Sequence, residues 1–390
     1  MTTAYIGLGS NLGDREGYVN SALKLLADNE NIKLVRTSGI IETPPLGQMN
    51  QPKYLNSVAE VKTNLTAEDL HKKLIEIETS LGRVRKKGPR LAGIQKWAPR
   101  TIDLDLLLFG EHVINHSGLS DESNLTVPHP QMHLRSFVLK GLCQINHNLI
   151  HPVIKEPVNV LADRLNGQDF VLNPNMPQLV SVAGIIGVGK TTLAKNLSKL
   201  LASHTSGGLG CKLILEPYDK NPFLPDVYAG KKDLALDSQL FFLTSRIEQL
   251  NHNVLAKGQL SIADYVFNKE LIYAKRLLNP QQLTIYKKIY PPFAEKVVQP
   301  VLVIYLTDSI QNCLGRIHKR NRPYEQKIQL QFLEALYSDH DQLFSDWKIC
   351  PLIRLSMSEF DCTNPEDLKH LANQMKFYVT AKSKPDILSC

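Results

Sequence analysis

The stretch Gly184–Thr191, GIIGVGKT, constrains the fold of this chain more than any other. It fits G-x-x-x-x-G-K-[ST] without a mismatch, follows the apolar run LVSVAG and opens the helical run TTLAKNLSKLLAS. The pattern has meaning only in that setting. A strand ends, a glycine-rich loop turns its backbone N–H groups inward, and a helix N-terminus adds its dipole, so that phosphates are cradled. Gly184, Gly187 and Gly189 would shape the loop, and Lys190 would reach the β- and γ-phosphates of ATP. Thr191, followed by Thr192, would ligate Mg²⁺. Four more short apolar runs, CKLILE, QLSIAD, PVLVIYL and PLIRL, follow with helical stretches between them. They predict an α/β P-loop unit with a parallel five-stranded sheet and crossover helices.

The residues before this unit follow another grammar. A chain of 390 residues is too long for one typical core. TAYIGLGS, IKLVRTSGIIET and YLNSVAEVKT read as strands, and Asp14–Leu26 and TAEDLHKKLIEIETSLG as helices. Thr66 is placed to cap the second helix, with Asp69 at its third position. The interleaving predicts a separate α+β domain. LNGQDFVLNPNMPQ, rich in Asn, Gly, Pro and Gln, reads as a linker, which divides the chain into 1–165, a linker 166–178, and 179–390.

Within the first part, RTIDLDLLLF reads as a buried strand, yet it carries Asp103 and Asp105. Residues i and i+2 of a strand share a face, so the two carboxylates lie side by side with Leu104 pointing the other way. Two such anions out of water repel, and one then holds a proton unless a cation intervenes. Oxygen-only ligands favour Mg²⁺, which takes one or two carboxylates and completes its shell with water and phosphate oxygens. Solvation at a strand end or pairing with Arg is the alternative.

Composition narrows the classes. Charged residues make up 21% and hydrophobic residues 43%, as in globular proteins, and no apolar run approaches the length of a membrane span. The start, MTTAYIGLGSN, lacks the features of a signal peptide. Six cysteines lie far apart with no C-x-x-C pair, which points to a reducing cytoplasm. The net charge of +7 is spread, with 19 basic and 17 acidic residues up to Leu165 and 26 and 21 beyond it. That argues for small polyphosphate substrates and against a nucleic-acid or membrane partner.

Parallel-sheet sites lie at the carboxyl ends of strands, where Glu216 follows CKLIL and Asp264 follows QLSIA. Either could cap or pair; beside a γ-phosphate, Glu216 could take the proton of an attacking hydroxyl. From about Leu179 to Phe377 the chain resembles the deoxyribonucleoside kinases, through GIIGVGKTT, EPYDKNPFL, DSQLFFLTSR, ADYVFNKELIYA and RIHKRNRPYEQKI. The resemblance implies that Glu216 is the base for the 5′-hydroxyl and that Gln239 contacts the nucleobase. It places Arg246 and Asp264 near the nucleoside, and Arg320 and Arg322 over the phosphates. It also implies a homodimer through the C-terminal part. Many members carry an acid–Arg pair at the end of the third strand, whereas this chain has Asp264–Tyr265. The rival readings are a non-catalytic nucleotide-binding or oligomerising module, or a kinase for another small acceptor.

From about residue 3 to 165 the chain resembles 6-hydroxymethyl-7,8-dihydropterin pyrophosphokinase of folate synthesis. The motifs are AYIGLGSNLGDR, ETPPLG, QPKYLNSV, GRVR, KWAPRTIDLDLLLFG and LTVPHPQMHLRSFVL, and the resemblance implies a ferredoxin-like fold. It implies that Asp103 and Asp105 bind two Mg²⁺ ions on ATP. Arg83, Arg85, Arg100, Thr126, His129 and Arg135 then hold the triphosphate, Glu78 lies near the nucleotide, and Trp97 sits on a closing loop. Tyr54 and Phe137 would stack the pterin, Asn56 would read its edge, and Thr43, Pro44 and Leu46 would line its pocket. GPRLAGIQ looks like an insertion in the loop, and Lys96 stands where an Arg is common.

Overall fold

Apolar alternation builds the first sheet. In the computed structural model of the chain, which describes residues 1–46, 51–84, 99–116, 124–203 and 211–380, contacts divide the chain into Met1–Phe170 and Val171–Cys390. The first unit runs β1 (Thr2–Ser10), α1 (Arg15–Ala27), β2 (Ile32–Thr37), β3 (Ile41–Thr43), β4 (Tyr54–Thr63), α2 (Ala67–Ser80) and β5 (Asp103–Phe109). A small hairpin, β6 (Ile114–His116) and β7 (Leu125–Val127), precedes α3 (Ser136–Ile145) and α4 (Val158–Leu165). The sheet order is β2–β4–β1–β5 with β3 also on β4, and every neighbouring pair is antiparallel. Setting β3 aside, β1-α1-β2-β4-α2-β5 in this order is the split βαβ arrangement of ferredoxin-like domains.

Ala4, Ile6 and Leu8 of β1 join Leu104 and Leu106 of β5 in one core with Val19 and Ala22 of α1 and Leu70 and Leu74 of α2. The alternate residues therefore face the other way. On that second face Gly9 stands opposite Asn56 on one side and Asp103 on the other, and Gly7 opposite Val58 and Asp105. The two glycines make room on this face for neighbouring side chains: a Cβ on Gly7 would meet Leu107 at 3.4 Å and one on Gly9 would meet Asn56 Oδ1 at 3.0 Å. Thr66 caps α2 as its sequence suggests, its hydroxyl accepting from the Asp69 N–H at 3.1 Å.

Two strands differ from expectation. IKLVRTSGIIET is broken into β2 and β3, because the Ser38 hydroxyl accepts from the Val58 N–H at 2.9 Å and interrupts the ladder. The acidic strand starts at Asp103, not Arg100, because Arg100 pairs with Asn11 instead of a neighbouring strand. The Asn11 N–H donates to the Arg100 carbonyl at 3.1 Å, and the Arg100 N–H donates to Asn11 Oδ1 at 2.8 Å.

The second unit runs β8 (Gln178–Ala183), α5 (Lys190–Ser203), β9 (Lys212–Ile214), α6 (Leu224–Tyr228), α7 (Ala235–Leu250) and β10 (Leu260–Ala263). Then come α8 (Glu270–Leu277), α9 (Pro280–Ala294), β11 (Leu302–Thr307), α10 (Ile310–Arg320), α11 (Leu330–Ser345), β12 (Leu352–Ser356) and α12 (Pro365–Met375). All five strands are parallel, in the order β12–β11–β8–β10–β9. The chain leaves β8 toward one edge and returns to fill the other, so a crevice opens at the carboxyl end of β8, where the glycine loop sits. That loop lies against its neighbours: a Cβ on Gly184 would come within 2.6 Å of the Leu306 carbonyl oxygen, and one on Gly187 within 2.4 Å of that of Cys313. Both glycines have positive φ, which other residues rarely adopt. No helix among the described residues is long and apolar enough to cross a membrane.

Packing of α3 on the sheet yields a stability test. A Cβ on Gly141 would lie 2.6 Å from Val58 Cγ2 and 3.3 Å from Ser38 Oγ. Gly141→Ala is expected to destabilise the first unit by about 1–3 kcal/mol through overpacking. Urea unfolding reads this as a lower midpoint, and Val58→Ala in the same chain should recover part of the loss through direct coupling.

Candidate active sites

The first site is built on β5. Asp103 and Asp105 share the face opposite α1 and α2, as the strand period requires. Asp103 Oδ1 pairs with Arg83 and Oδ2 with Arg100. Arg83 also pairs with Glu78, which is 1% exposed and whose Oε1 accepts the Leu104 N–H at 2.7 Å. A line of charge thus runs from α2 to β5. Burial pushes the Asp103 carboxyl up, but Arg100 and Arg83 outweigh it and hold the group below the usual range. Asp105 reaches solvent yet titrates above the usual range, through partial loss of water and then the charge of Asp103; His129, Arg135 and Arg100 oppose the rise.

His129 follows β7 and is pinned beside β5 by its N–H, which donates to the Leu107 carbonyl at 2.9 Å. Its Nδ1 accepts from the Gln131 N–H at 3.3 Å, so the neutral ring carries its proton on Nε2. Arg135 donates to Gln131 Oε1 at 2.7 Å. Thr126 is exposed on the hairpin and donates to Asn115 Oδ1 at 3.4 Å, apart from the carboxylates' own hydrogen bonds. Asn56 is buried on β4 and donates to Thr43 Oγ1 at 2.8 Å, joining β4 to β3. Tyr54, opposite Thr43, is half-buried, as are Leu46 and Phe137 in the first turn of α3, while Pro44 is exposed. Among the described residues no ring contact joins Tyr54 to Phe137. Arg85, Lys96, Trp97 and the insertion GPRLAGIQ lie outside the described residues.

The second site gathers at the carboxyl ends of β8, β9 and β10. Lys190 Nζ donates to the Ile185 carbonyl at 2.8 Å, across its own loop. The Thr191 hydroxyl donates to Asp264 Oδ2 at 2.5 Å. Asp264 Oδ1 accepts the Glu216 N–H at 2.8 Å. Asp264, expected near the nucleoside, thus has both carboxylate oxygens engaged with Thr191 and the base of Glu216, while Thr192 is exposed. Glu216 Oε1 pairs with Arg246, and Oε2 accepts from Lys269 at 2.7 Å. Burial pushes Glu216 up, but Arg246 and Lys269 outweigh it and hold the carboxylate far below its usual range.

Gln239 and Arg246 lie on α7, seven residues and two turns apart on one face. Gln239 is 2% exposed, and its Oε1 is buried without a hydrogen-bond partner among the described residues. Such an atom is costly unless something bonds to it. At the end of α10, Arg320 donates to Glu325 at 2.5 Å and Arg322 at 3.3 Å. The Arg322 guanidinium stacks 3.7 Å over the Tyr218 ring.

Three side chains join these sites without having been singled out in the sequence. Asn11 is fully buried and ties Arg100 to the segment at Gln51–Pro52, donating to Gln51 Oε1 at 3.3 Å and the Pro52 carbonyl at 3.4 Å. Its signal was a polar Asn ending the strand in GLGSN. Lys269 and Glu270 are buried on the turn into α8, and Glu270 pairs with Arg246. The signal for Lys269 was the absence of an Arg after Asp264; none pointed to Glu270.

The family model for 7,8-dihydro-6-hydroxymethylpterin-pyrophosphokinase matches residues 5–147, and that for deoxynucleoside kinase matches residues 180–380. A 2-amino-4-hydroxy-6-hydroxymethyldihydropteridine pyrophosphokinase of Haemophilus influenzae is 39% identical over 166 residues, 42% of this chain and 95% of that protein. A deoxyguanosine kinase of Bacillus subtilis is 39% identical over 170 residues, 43% of this chain and 78% of that protein. A solved deoxyadenosine kinase from M. mycoides with bound dATP is 22% identical, with coverage of 51% of this chain and 99% of that one and a TM-score of 0.44. The chain therefore belongs to two families joined end to end, the dihydro-hydroxymethylpterin pyrophosphokinases in its first part and the deoxynucleoside kinases in its second.

Proposed function

We propose that the chain is a bifunctional transferase using ATP at two separate sites. Residues 1–165 transfer pyrophosphate from ATP to 6-hydroxymethyl-7,8-dihydropterin, a step of folate synthesis that releases AMP. Residues 179–390 transfer the ATP γ-phosphoryl group to the 5′-hydroxyl of a deoxynucleoside and release ADP, with 166–178 as the connector. The observation that carries this reading is the convergence, within each unit, of carboxylates and cations around one surface: Asp103 with Arg83 and Arg100, and Glu216 with Arg246 and Lys269.

In the first unit the pterin hydroxymethyl oxygen attacks the β-phosphorus and AMP departs. Arg83, Arg85, Arg100, Thr126, His129 and Arg135 bind and orient the triphosphate, and Trp97 belongs to the loop that would close on it. Tyr54 and Phe137 hold the flat pterin, Asn56 reads its edge, and Thr43, Pro44 and Leu46 line its pocket. In the second unit Gln239 offers its unpartnered Oε1 to the base, Arg246 holds Glu216, and Glu216 takes the 5′-hydroxyl proton. Arg320 and Arg322 close over the phosphates beside Lys190.

Mg²⁺ fits both donor sets. Asp105, pushed up beside Asp103, gains from any added cation, and Thr191 and Asp264 bring two oxygens together. Asp103 and Asp105 would hold it in one unit and Thr191 with Asp264 in the other, where it would neutralise phosphate charge. The five described cysteines are free thiols, which supports a cytoplasmic setting. A homodimer through the second unit is supported by the resemblance to its family.

An assay with Mg-ATP that resolves AMP from ADP tests both activities. AMP is expected only with the pterin, and ADP only with deoxynucleosides. Asp105→Asn should lower AMP release by about a hundredfold or more and leave ADP release unchanged, and Lys190→Met should do the reverse. AMP without ADP for every deoxynucleoside would favour a binding module or another acceptor for the second unit; no AMP with pterin would overturn the first assignment.

Lys190 adds a pH test. Burial and then Lys269 push its ammonium down to about 8. A triphosphate supplies the missing countercharge, so ATP favours the protonated form. ATP affinity is full below that value and falls as pH rises through it, by about tenfold per unit until the pKa of the bound state is reached. The KM for ATP in ADP release should therefore climb between pH 7 and 9.5, and Lys190→Arg, whose guanidinium stays charged throughout, should flatten the climb.

A further inference from the structure

The two cations on Glu216 differ in how firmly they are held. Arg246 is locked: one guanidinium nitrogen pairs with Glu216, another with Glu270, and the group lies 4.7 Å over the Phe242 ring. Glu270 is fully buried and accepts a second hydrogen bond from the Tyr286 hydroxyl at 2.7 Å, so Arg246's anchor is itself anchored. Lys269 has one carboxylate, Glu216 Oε2 at 2.7 Å. Its other neighbours are the rings of Tyr273 at 5.4 Å and Tyr265 at 5.8 Å. An ammonium on a flexible stem with one ionic partner can exchange it; a guanidinium forked between two carboxylates cannot without leaving one buried and bare.

Lys269 also stands near the position where the chain departs from many members of its family. The residue after Asp264 is Tyr265 rather than Arg, and its hydroxyl turns away to donate to Gln249 Oε1 at 2.6 Å. Position 265 thus supplies no charge to the crevice. The tight turn Phe267–Lys269 at the start of α8 brings a cation back to Glu216. This ammonium and that of Lys190 lie within electrostatic reach of each other, and both feel Glu216 and Asp264.

We infer that Lys269 is a catalytic residue of the second unit, whose ammonium leaves Glu216 Oε2 for the oxygens of the transferring phosphoryl group as the acceptor hydroxyl arrives. The move frees Glu216 Oε2 to receive the hydroxyl proton. The 5′-oxygen bonds to the γ-phosphorus, the bond from that phosphorus to the β,γ-bridging oxygen breaks, and ADP leaves with the electron pair. Lys269 keeps its protons throughout and replaces the charge missing at Tyr265. This role rests on the deoxynucleoside kinase reading of the unit.

The full chain tests it. ADP release by the wild type on addition of deoxynucleosides comes first; none with any of them overturns the kinase reading and this role with it. In a chain that turns over, Lys269→Gln should lower kcat by about 10²–10³-fold while the KM values stay within about threefold, since the contact forms only in transfer. Binding of ADP with aluminium fluoride and deoxynucleoside, a mimic of the transferring group, should weaken in parallel, with ADP alone bound as before. Unchanged kcat, or mimic binding as tight as in the wild type, would make Lys269 a structural partner of Glu216 only. Should Lys269→Gln not fold, Lys269→Arg decides. Retention of kcat within about tenfold is expected because the charge is kept, and a loss above about a hundredfold overturns the claim that charge is what this residue supplies.

Discussion

Fixed cations set against half-hidden carboxylates are the constraint on which both sites depend. A carboxylate withdrawn from water either takes up a proton or finds positive charge. Asp103 and Glu216 find it in pairs of side chains from separate elements: Arg83 after α2 and Arg100 before β5, Arg246 on α7 and Lys269 before α8. Each pair therefore does two things. It keeps an anion ionised, and it ties together separate elements of the fold. Glu78 and Glu270, 1% and 0% exposed, extend the tie into the interior by holding the far side of Arg83 and Arg246.

The second requirement is close approach, and glycine meets it in two ways. In the glycine loop, Gly184 and Gly187 have positive φ and backbone neighbours too near for any Cβ. On β1, Gly7 and Gly9 need no unusual backbone. They matter for what they leave out: a Cβ on Gly9 would come within 3.0 Å of Asn56 Oδ1. Asn56 lies over Gly9, and Leu107 over Gly7, in space that a side chain on β1 would fill.

Periodicity and punctuation made most of the architecture legible. Strand β4 and the cap at Thr66 follow directly from local pattern, and the run of short apolar segments after the linker forms one parallel sheet. What stayed hidden was decided by side chains standing in for backbone. Ser38 takes an N–H from β4 and splits one strand in two, and Asn11 pairs with Arg100 and delays the next. Local sequence does not name the partners of such substitutions, because they are distant in the chain. The contact between Asp264 and Thr191 was hidden for a similar reason. That Asp264 meets Thr191 follows only from β10 lying next to β8, which is a property of strand order and not of either motif.

Arg and Lys divide the work according to what each carboxylate has to do. Asp103 has a guanidinium on each oxygen, and both are planar forks with no freedom to give up a proton. That arrangement keeps Asp103 an anion and leaves its neighbour Asp105, pushed upward, as the group that gains most from an added cation. It agrees with the proposal that Asp103 and Asp105 hold Mg²⁺. Glu216 has one guanidinium and one ammonium, and only the first is braced by a second buried carboxylate. A group that must accept a proton needs one oxygen that can be vacated at the right moment. A second cation braced by a buried carboxylate of its own, as Arg246 is by Glu270, would hold both oxygens of Glu216 and make it a poorer base. The mixed pair thus suits the proton transfer proposed for Glu216, and the matched pair suits charge held in place.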